Sequence, residues 1–269
     1  MTPAKFRLPR DIPLDEYPSP DAYLEEAQRL TLEAQKQGLI LRVMGPIALH
    51  LYFPDHVALY RRMERLGERV FTDIDYAAYG KHRGKMIDFF ASQGYEVERR
   101  ALMLSGGERH IYFGGRIPMV DVFFDRLNYN HPIDYQGRLE LHPYCVTLTD
   151  LLLQKLQIVH INDKDLKDAM LLLLAGVLGR DEAVGASPEY IARRMSDDWG
   201  FWYTATENLA KIKSSMEQVP ALTQEHCSMI RANADALLQA IEQAPKSGHW
   251  KSRAKVGTRK PWYKEVTDW

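Results

Sequence analysis

Three aspartates carry the residue types and spacing from which a reaction can be built. Asp73 and Asp75 lie in Phe71-Thr72-Asp73-Ile74-Asp75-Tyr76-Ala77-Ala78-Tyr79, a stretch of β-branched and aromatic residues that reads as a strand. Residues two apart on a strand point to one face, so the two carboxylates project together. Converging carboxylates repel unless a positive charge sits between them, and a divalent cation fills that role. Asp121 is the third, at the centre of Ile117-Pro118-Met119-Val120-Asp121-Val122-Phe123-Phe124-Asp125, a second β stretch. An acid among buried apolar neighbours costs several kcal/mol unless it is paired or metal-bound. Three hard oxygen ligands suit Mg²⁺ or Mn²⁺ better than zinc, and such a set is the skeleton of a two-metal phosphoryl-transfer site. A competing reading stands beside this one. Acid pairs at strand ends also serve as turn or cap residues, and Asp121 can form a structural ion pair with an arginine.

The elements that position these acids follow in a recognisable order. Leu39-Ile40-Leu41-Arg42-Val43-Met44 reads as an apolar strand, Gly45-Pro46 as a turn, and Ile47 onward as a short helix. The Asp73/Asp75 strand comes next and the Asp121 strand after it. This order resembles the nucleotidyltransferase superfamily with a polymerase-β-type core, whose pattern is a glycine turn opening a helix, an Asp-x-Asp strand and a later single Asp. A further stretch, Thr149-Asp150-Leu151-Leu152-Leu153-Gln154-Lys155-Leu156 followed by Asn162-Asp163-Lys164-Asp165-Leu166-Lys167-Asp168, is similar to the helical motifs of AbiEii/MenA-like, toxin-type nucleotidyltransferases. The resemblance spans roughly 39–174. It implies transfer of a nucleoside monophosphate from an NTP to an acceptor hydroxyl on RNA or tRNA, a small molecule or a protein, with Mg²⁺ or Mn²⁺ as cofactor. Asp73, Asp75 and Asp121 would be the metal ligands and catalytic acids. Gly45, Arg69, Lys155, Asp165 and Asp168 would meet the nucleotide, with Lys155 countering phosphate charge. A cognate antitoxin is the implied protein partner.

The chain departs from that pattern at one place. Family members usually carry Gly-Gly or Gly-Ser at the turn, whereas Gly45 here precedes Pro46, which removes a backbone donor and any serine hydroxyl. That departure supports an alternative, a catalytically weak nucleotide- or RNA-binding member of the same fold that acts as an interaction module.

Lys155 sits among Leu151, Leu152, Leu153 and Leu156, where a lysine either snorkels to water or reaches an anion. Asp163 and Asp165 also suit a helix N-terminus, with Asn162 as its cap. Arg61, Arg62 and Arg65 read as a solvated helix face, while Arg69 immediately precedes the acidic strand.

Composition bounds the rest. With 45% hydrophobic and 26% charged residues over 269 positions, the chain is an ordinary globular one. A net charge of −1 gives no whole-molecule attraction to nucleic acid, so any such contact needs a local patch. Two distant cysteines, Cys145 and Cys227, make no disulfide framework. No apolar run reaches bilayer length, so a cytoplasmic protein without a membrane span is expected.

The sequence predicts an α/β (α+β) fold: a mixed, mostly antiparallel sheet with flanking helices, then a C-terminal helical region. Its parts are an extended proline-rich arm (1–20), a nucleotidyltransferase-type core (21–148), a helical region (149–244) and a basic aromatic tail (245–269). Strands are expected at 95–104, 109–113 and 117–124 with hairpin turns at Gly106-Gly107 and Gly114-Gly115, and helices at 21–37, 54–70, 81–93 and from Asp150 onward with Thr149 as cap. The tail carries Lys246, Lys251, Arg253, Lys255, Arg259, Lys260 and Lys264 interleaved with Trp250, Trp262 and Tyr263. It either contacts RNA by charge and stacking or wraps on its own domain and buries its tryptophans.

Overall fold

The computed structural model describes residues 7–65 and 70–266. The chain divides into two compact units. The first comprises Met1–Pro54, Leu66–Leu127 and Asp134–Val146, and the second Asp55–Arg65, Asn128–Ile133 and Thr147–Trp269.

The first unit is built on a five-stranded sheet. Its strands are β1 (Leu41–Val43), β2 (Ile74–Ala78), β3 (Glu96–Val97), β4 (Arg109–Phe113) and β5 (Met119–Phe124), in the order β1-β2-β5-β4-β3. β2 and β5 run parallel; the pairs β1–β2, β5–β4 and β4–β3 are antiparallel. The mixed, mostly antiparallel sheet is as the sequence predicts.

Strand alternation sorts the side chains between two faces. Ile74, Tyr76, Ala78, Val120, Val122, Phe124, His110 and Tyr112 share the back face, as the registers Tyr76↔Val122 and Tyr112↔Val120 require. Two helices cover it. α1 (Pro20–Lys36) buries Tyr23, Ala27, Leu30 and Ala34, at helical spacing, and the carbonyl of Ala27 accepts from the Tyr76 hydroxyl at 2.9 Å. α4 (Arg83–Ser92) stacks Phe90 on Tyr112 with ring centroids 4.1 Å apart. The acids point the other way.

Two local expectations fail in this unit. Residues 95–104 do not form one strand: β3 spans only Glu96–Val97, and α5 (Arg99–Ser105) follows, because the Glu98 side chain accepts from the Ala101 amide and caps a helix there. Gly106-Gly107 therefore follows a helix rather than joining two strands, while Gly114-Gly115 does lie between the antiparallel β4 and β5. Of the predicted basic helix over 54–70, the described residues form α3 (Val57–Arg62), which belongs to the second unit, and 66–69 lie outside the described residues.

The second unit is helical. α6 (Leu148–Leu156), α7 (Asp163–Ala175), α8 (Pro188–Asp197), α9 (Trp199–Ser215), α10 (Gln224–Gln243) and α11 (Gly248–Val256) each start at a side-chain cap: Thr147, Asn162, Ser187, Asp198, Thr223 and Ser247. Thr147, not Thr149, caps α6. It holds Asp150 twice, its hydroxyl donating to the carboxylate at 2.8 Å and accepting from the amide at 3.1 Å. Thr149 lies inside the helix and accepts from the Ser187 amide at 2.8 Å.

The described part of the tail packs on its own unit, with Trp250 and Trp262 half-buried rather than buried and Trp269 outside the described residues. Trp262 donates its indole N–H to Thr204 Oγ1 at 3.2 Å and meets Tyr203 edge-on at 5.4 Å between centroids. Trp250 meets Trp202 at 5.1 Å, and Arg253 lies 5.0 Å from the Trp199 ring. Asn130 and Lys264 exchange two hydrogen bonds, at 3.0 and 2.8 Å, which ties the tail to the 128–133 segment. Lys251, Lys255, Arg259 and Lys260 remain exposed. Among the described residues no helix is long and apolar enough to cross a membrane.

Candidate functional site

Register brings the acids together. Asp75 and Asp121 are direct partners in the parallel β2–β5 pair, so both carboxylates leave the sheet at one level and on its front face. Asp73, two residues before Asp75, shares that face. Each of the three offers a carboxylate oxygen, and these oxygens all lie within 4.8 Å of one another. Asp121 is fully buried, whereas Asp73 and Asp75 are half-buried, so the cluster opens on one side. Upstream, the Tyr17 and Tyr23 hydroxyls both reach the Thr72 carbonyl, at 3.4 and 3.3 Å, and the Thr72 hydroxyl donates to Asp73 at 2.9 Å. These contacts fix the approach to the first acid.

The glycine turn closes on the same cluster. Gly45 opens α2 (Gly45–Tyr52) with φ +66, and a Cβ built on it would stand 2.9 Å from Asp75 Oδ2. The Met44 amide donates to the Asp75 carbonyl at 2.9 Å. Gly45 thus leaves room for the carboxylate as well as opening the helix. Pro46 falls in the first turn of α2, where its missing N–H has no intrahelical acceptor to lose.

Arg109 is the site residue that sequence reasoning missed. Its Nε donates to Asp121 Oδ1 at 2.7 Å and its Nη2 to Oδ2, a two-pronged ion pair. In the antiparallel β4–β5 ladder Ile111 stands opposite Asp121 and Arg109 opposite Phe123. Arg109 therefore reaches its acid diagonally along the front face, and its guanidinium lies 5.2 Å from the Phe123 ring. The arginine partner left open for Asp121 is therefore present, and it coexists with the acid cluster. Burial pushes the Asp121 carboxyl up, Arg109 opposes that, and the charge of Asp73 adds to it; the balance is upward.

The donor set and its spacing fit a divalent cation: hard carboxylates on rigid strands, mutually close, with a glycine where a side chain would intrude. Asp73, Asp75 and Asp121 are the residues that would hold it.

The helical candidates form a separate cluster, within the second unit. Lys155 Nζ lies 2.7 Å from both Asp165 Oδ1 and Asp168 Oδ2. Arg65 Nε donates to Asp168 Oδ1 at 2.7 Å, and the Tyr60 hydroxyl donates to the same oxygen. Arg65 is thus no solvated residue, unlike the exposed Arg61 and Arg62; its side chain is 9% exposed. Burial alone would raise the Asp168 carboxyl, but Lys155 and Arg65 pull it down to about 2. Lys155 is likewise lowered by burial and raised more by Asp168 and Asp165. The helix spacing of Asp165 and Asp168 was legible; the two partners from residues 60–65 were not, because nothing local ties that segment to α7. Arg69 lies outside the described residues.

No family model matches the chain, and no curated protein matches it in sequence. Among solved structures it is similar to the solution structure of the antibiotic-resistance factor ANT(2'')-Ia, with a TM-score of 0.34 and 12% sequence identity over 82% of this chain and 95% of that one. At that distance the reading of the site rests on the strands and side chains of this chain.

Proposed function

We propose that the protein is a metal-dependent nucleotidyltransferase, moving a nucleoside monophosphate from an NTP to an acceptor hydroxyl. The observation that carries this reading is the meeting of Asp73, Asp75 and Asp121 on one sheet face, with ligand oxygens within 4.8 Å of one another. In this reading Asp73, Asp75 and Asp121 would hold Mg²⁺ or Mn²⁺, the first two from half-buried positions and Asp121 from a buried one. The bound metal supplies Lewis-acid stabilisation of the triphosphate. Gly45 leaves room for the Asp75 carboxylate and lets phosphate approach the first turn of α2. The bond from the acceptor oxygen to the α-phosphorus forms as the bond to the bridging oxygen breaks, and pyrophosphate leaves. The acceptor's proton passes to a carboxylate, the role assigned to Asp121 as a neighbour of the reacting oxygen. Lys155 is assigned to phosphate, with Asp165 and Asp168 holding its ammonium: those two carboxylates engage two of three N–H donors. Arg69 is assigned to the nucleotide on its position before β2.

The acceptor belongs to one of three classes, RNA or tRNA, a small molecule, or a protein. The exposed lysines and arginine of the tail favour RNA. A toxin-type role would add a cognate antitoxin as partner. Label transfer from each α-labelled NTP, with Mg²⁺ or Mn²⁺, into total RNA, the protein itself and small acceptors tests the reading. Label that vanishes in the Asp73→Ala/Asp75→Ala double variant supports it and names the acceptor class. Absence of both label and NTP binding sinks it. Pro46 favours a second reading, a nucleotide- or RNA-binding module of this fold; NTP binding without transfer is its signature.

A further inference from the structure

Asp121 already has a cation. The Arg109 guanidinium grips both of its oxygens, and the pair is shielded: the Asp121 side chain is 2% exposed and that of Arg109 18%. The arginine is held there twice over, by its carboxylate and by the Phe123 ring at 5.2 Å. Its position is set by register, two residues along β4 from the point opposite Asp121, so the fork lies on the same face as the three acids. A divalent ion held by Asp73, Asp75 and Asp121 would therefore arrive within a few ångströms of a fixed positive charge.

Resting on the metal reading of the acid cluster, we infer that Arg109 is a resident counter-cation that competes with the divalent ion for Asp121 and so sets the affinity of the site. Like charges sharing one carboxylate repel, and in a partly buried setting that repulsion is weakly screened. Loading the site requires the guanidinium to loosen its fork or to tolerate the repulsion, and both weaken metal binding. When the ion leaves, Arg109 neutralises Asp121, so the emptied cluster does not have to protonate or open. Arg109 is a positioning residue: it acts on the metal through Asp121 and need not touch substrate.

The test uses Mn²⁺ alone, without nucleotide, titrated calorimetrically into the full chain. Wild type is compared with Arg109→Gln, Arg109→Lys and Asp75→Asn. Arg109→Gln removes one positive charge beside the cluster and is expected to bind Mn²⁺ about tenfold more tightly than wild type. Arg109→Lys keeps the charge without the fork and should fall between the two. Equal or weaker binding by Arg109→Gln overturns the inference. If wild type binds Mn²⁺ and Asp75→Asn does not, that failure concerns Arg109 alone. If neither wild type nor Arg109→Gln binds Mn²⁺, the metal reading falls too. A measurement on wild type covers the case in which Arg109→Gln does not fold. The Nε–H resonance of Arg109 should shift and exchange faster with solvent on addition of Mg²⁺. An unchanged resonance at saturating Mg²⁺ overturns the inference as well.

Discussion

Gly45 and Asp75 are in contact across the turn between β1 and α2: the space that a Cβ at position 45 would occupy lies 2.9 Å from Asp75 Oδ2. The glycine is needed for its backbone conformation and for its missing side chain together. Gly45→Ala should lose roughly 1–2 kcal/mol of stability from the left-handed backbone alone, measured by urea unfolding. It should also weaken the thermal shift produced by Mn²⁺, because the displaced atom is a metal-ligand oxygen. Alanine that matched glycine in both measurements would remove Gly45 from the site.

Asp75→Asn keeps the shape of the side chain and removes its charge. The expected result is a fold retained by circular dichroism, no stabilisation by Mn²⁺ with NTP, and a loss of label transfer on the order of 100-fold or more. Retained transfer would assign the chemistry elsewhere.

The Asp168 cluster predicts an acid limb in the stability of the second unit. The Asp168 carboxyl, held down to about 2 against an ordinary value of 3.8, binds its proton later than the unfolded chain does as pH falls. Its contribution, about 2 kcal/mol, is therefore present in full above pH 4 and lost as pH drops toward 2. Asp168→Asn should flatten that limb and lower stability at neutral pH by roughly 3–5 kcal/mol, since Lys155 and Arg65 are left facing a neutral group. Unfolding curves between pH 2 and 7 decide this, and an unaltered limb would contradict the assignment.

Trp262 ties the tail to α9 through Thr204 and Tyr203. Replacing it with alanine should cost about 1–2 kcal/mol, the scale of a half-buried aromatic and one hydrogen bond. Amide exchange in α9 should rise with it. Exchange that stays at the wild-type rate would show that the tail rests on the unit without stabilising it.

What the sequence reveals and what it hides divide by range of interaction. The strands at Asp73/Asp75 and Asp121, the α2 turn and the helices from Asn162 onward follow from alternation, glycine placement and capping, all local signals. The pairing of Asp75 with Asp121 depends on a parallel register between strands separated by about forty residues, which no local pattern encodes. Arg109 was hidden for the same reason, since its partner is fixed only once the β4–β5 ladder is known. α5 was missed because Ala101-Leu102-Met103-Leu104 has no alternation to tell helix from strand, while the Glu98 cap was the available clue. The local signal for Thr147 over Thr149 is Thr147-x-x-Asp150, the spacing of a cap with an acid three residues on.

The second unit gathers Asp55–Arg65, Asn128–Ile133 and Thr147–Trp269, and this has a consequence for synthesis. Arg65 leaves the ribosome 103 residues ahead of the aspartate that it pairs with. At translation rates of about 5–20 residues per second, that interval is roughly 5–20 s. Over it, the arginine and Tyr60 are made but their fold is not, whereas by its end every strand of the sheet has emerged. The first unit can therefore form on the nascent chain, while the second must recruit a segment made long before. A fragment beginning at Thr147 would lack that segment, and Asp168 with it would lose two of its three partners.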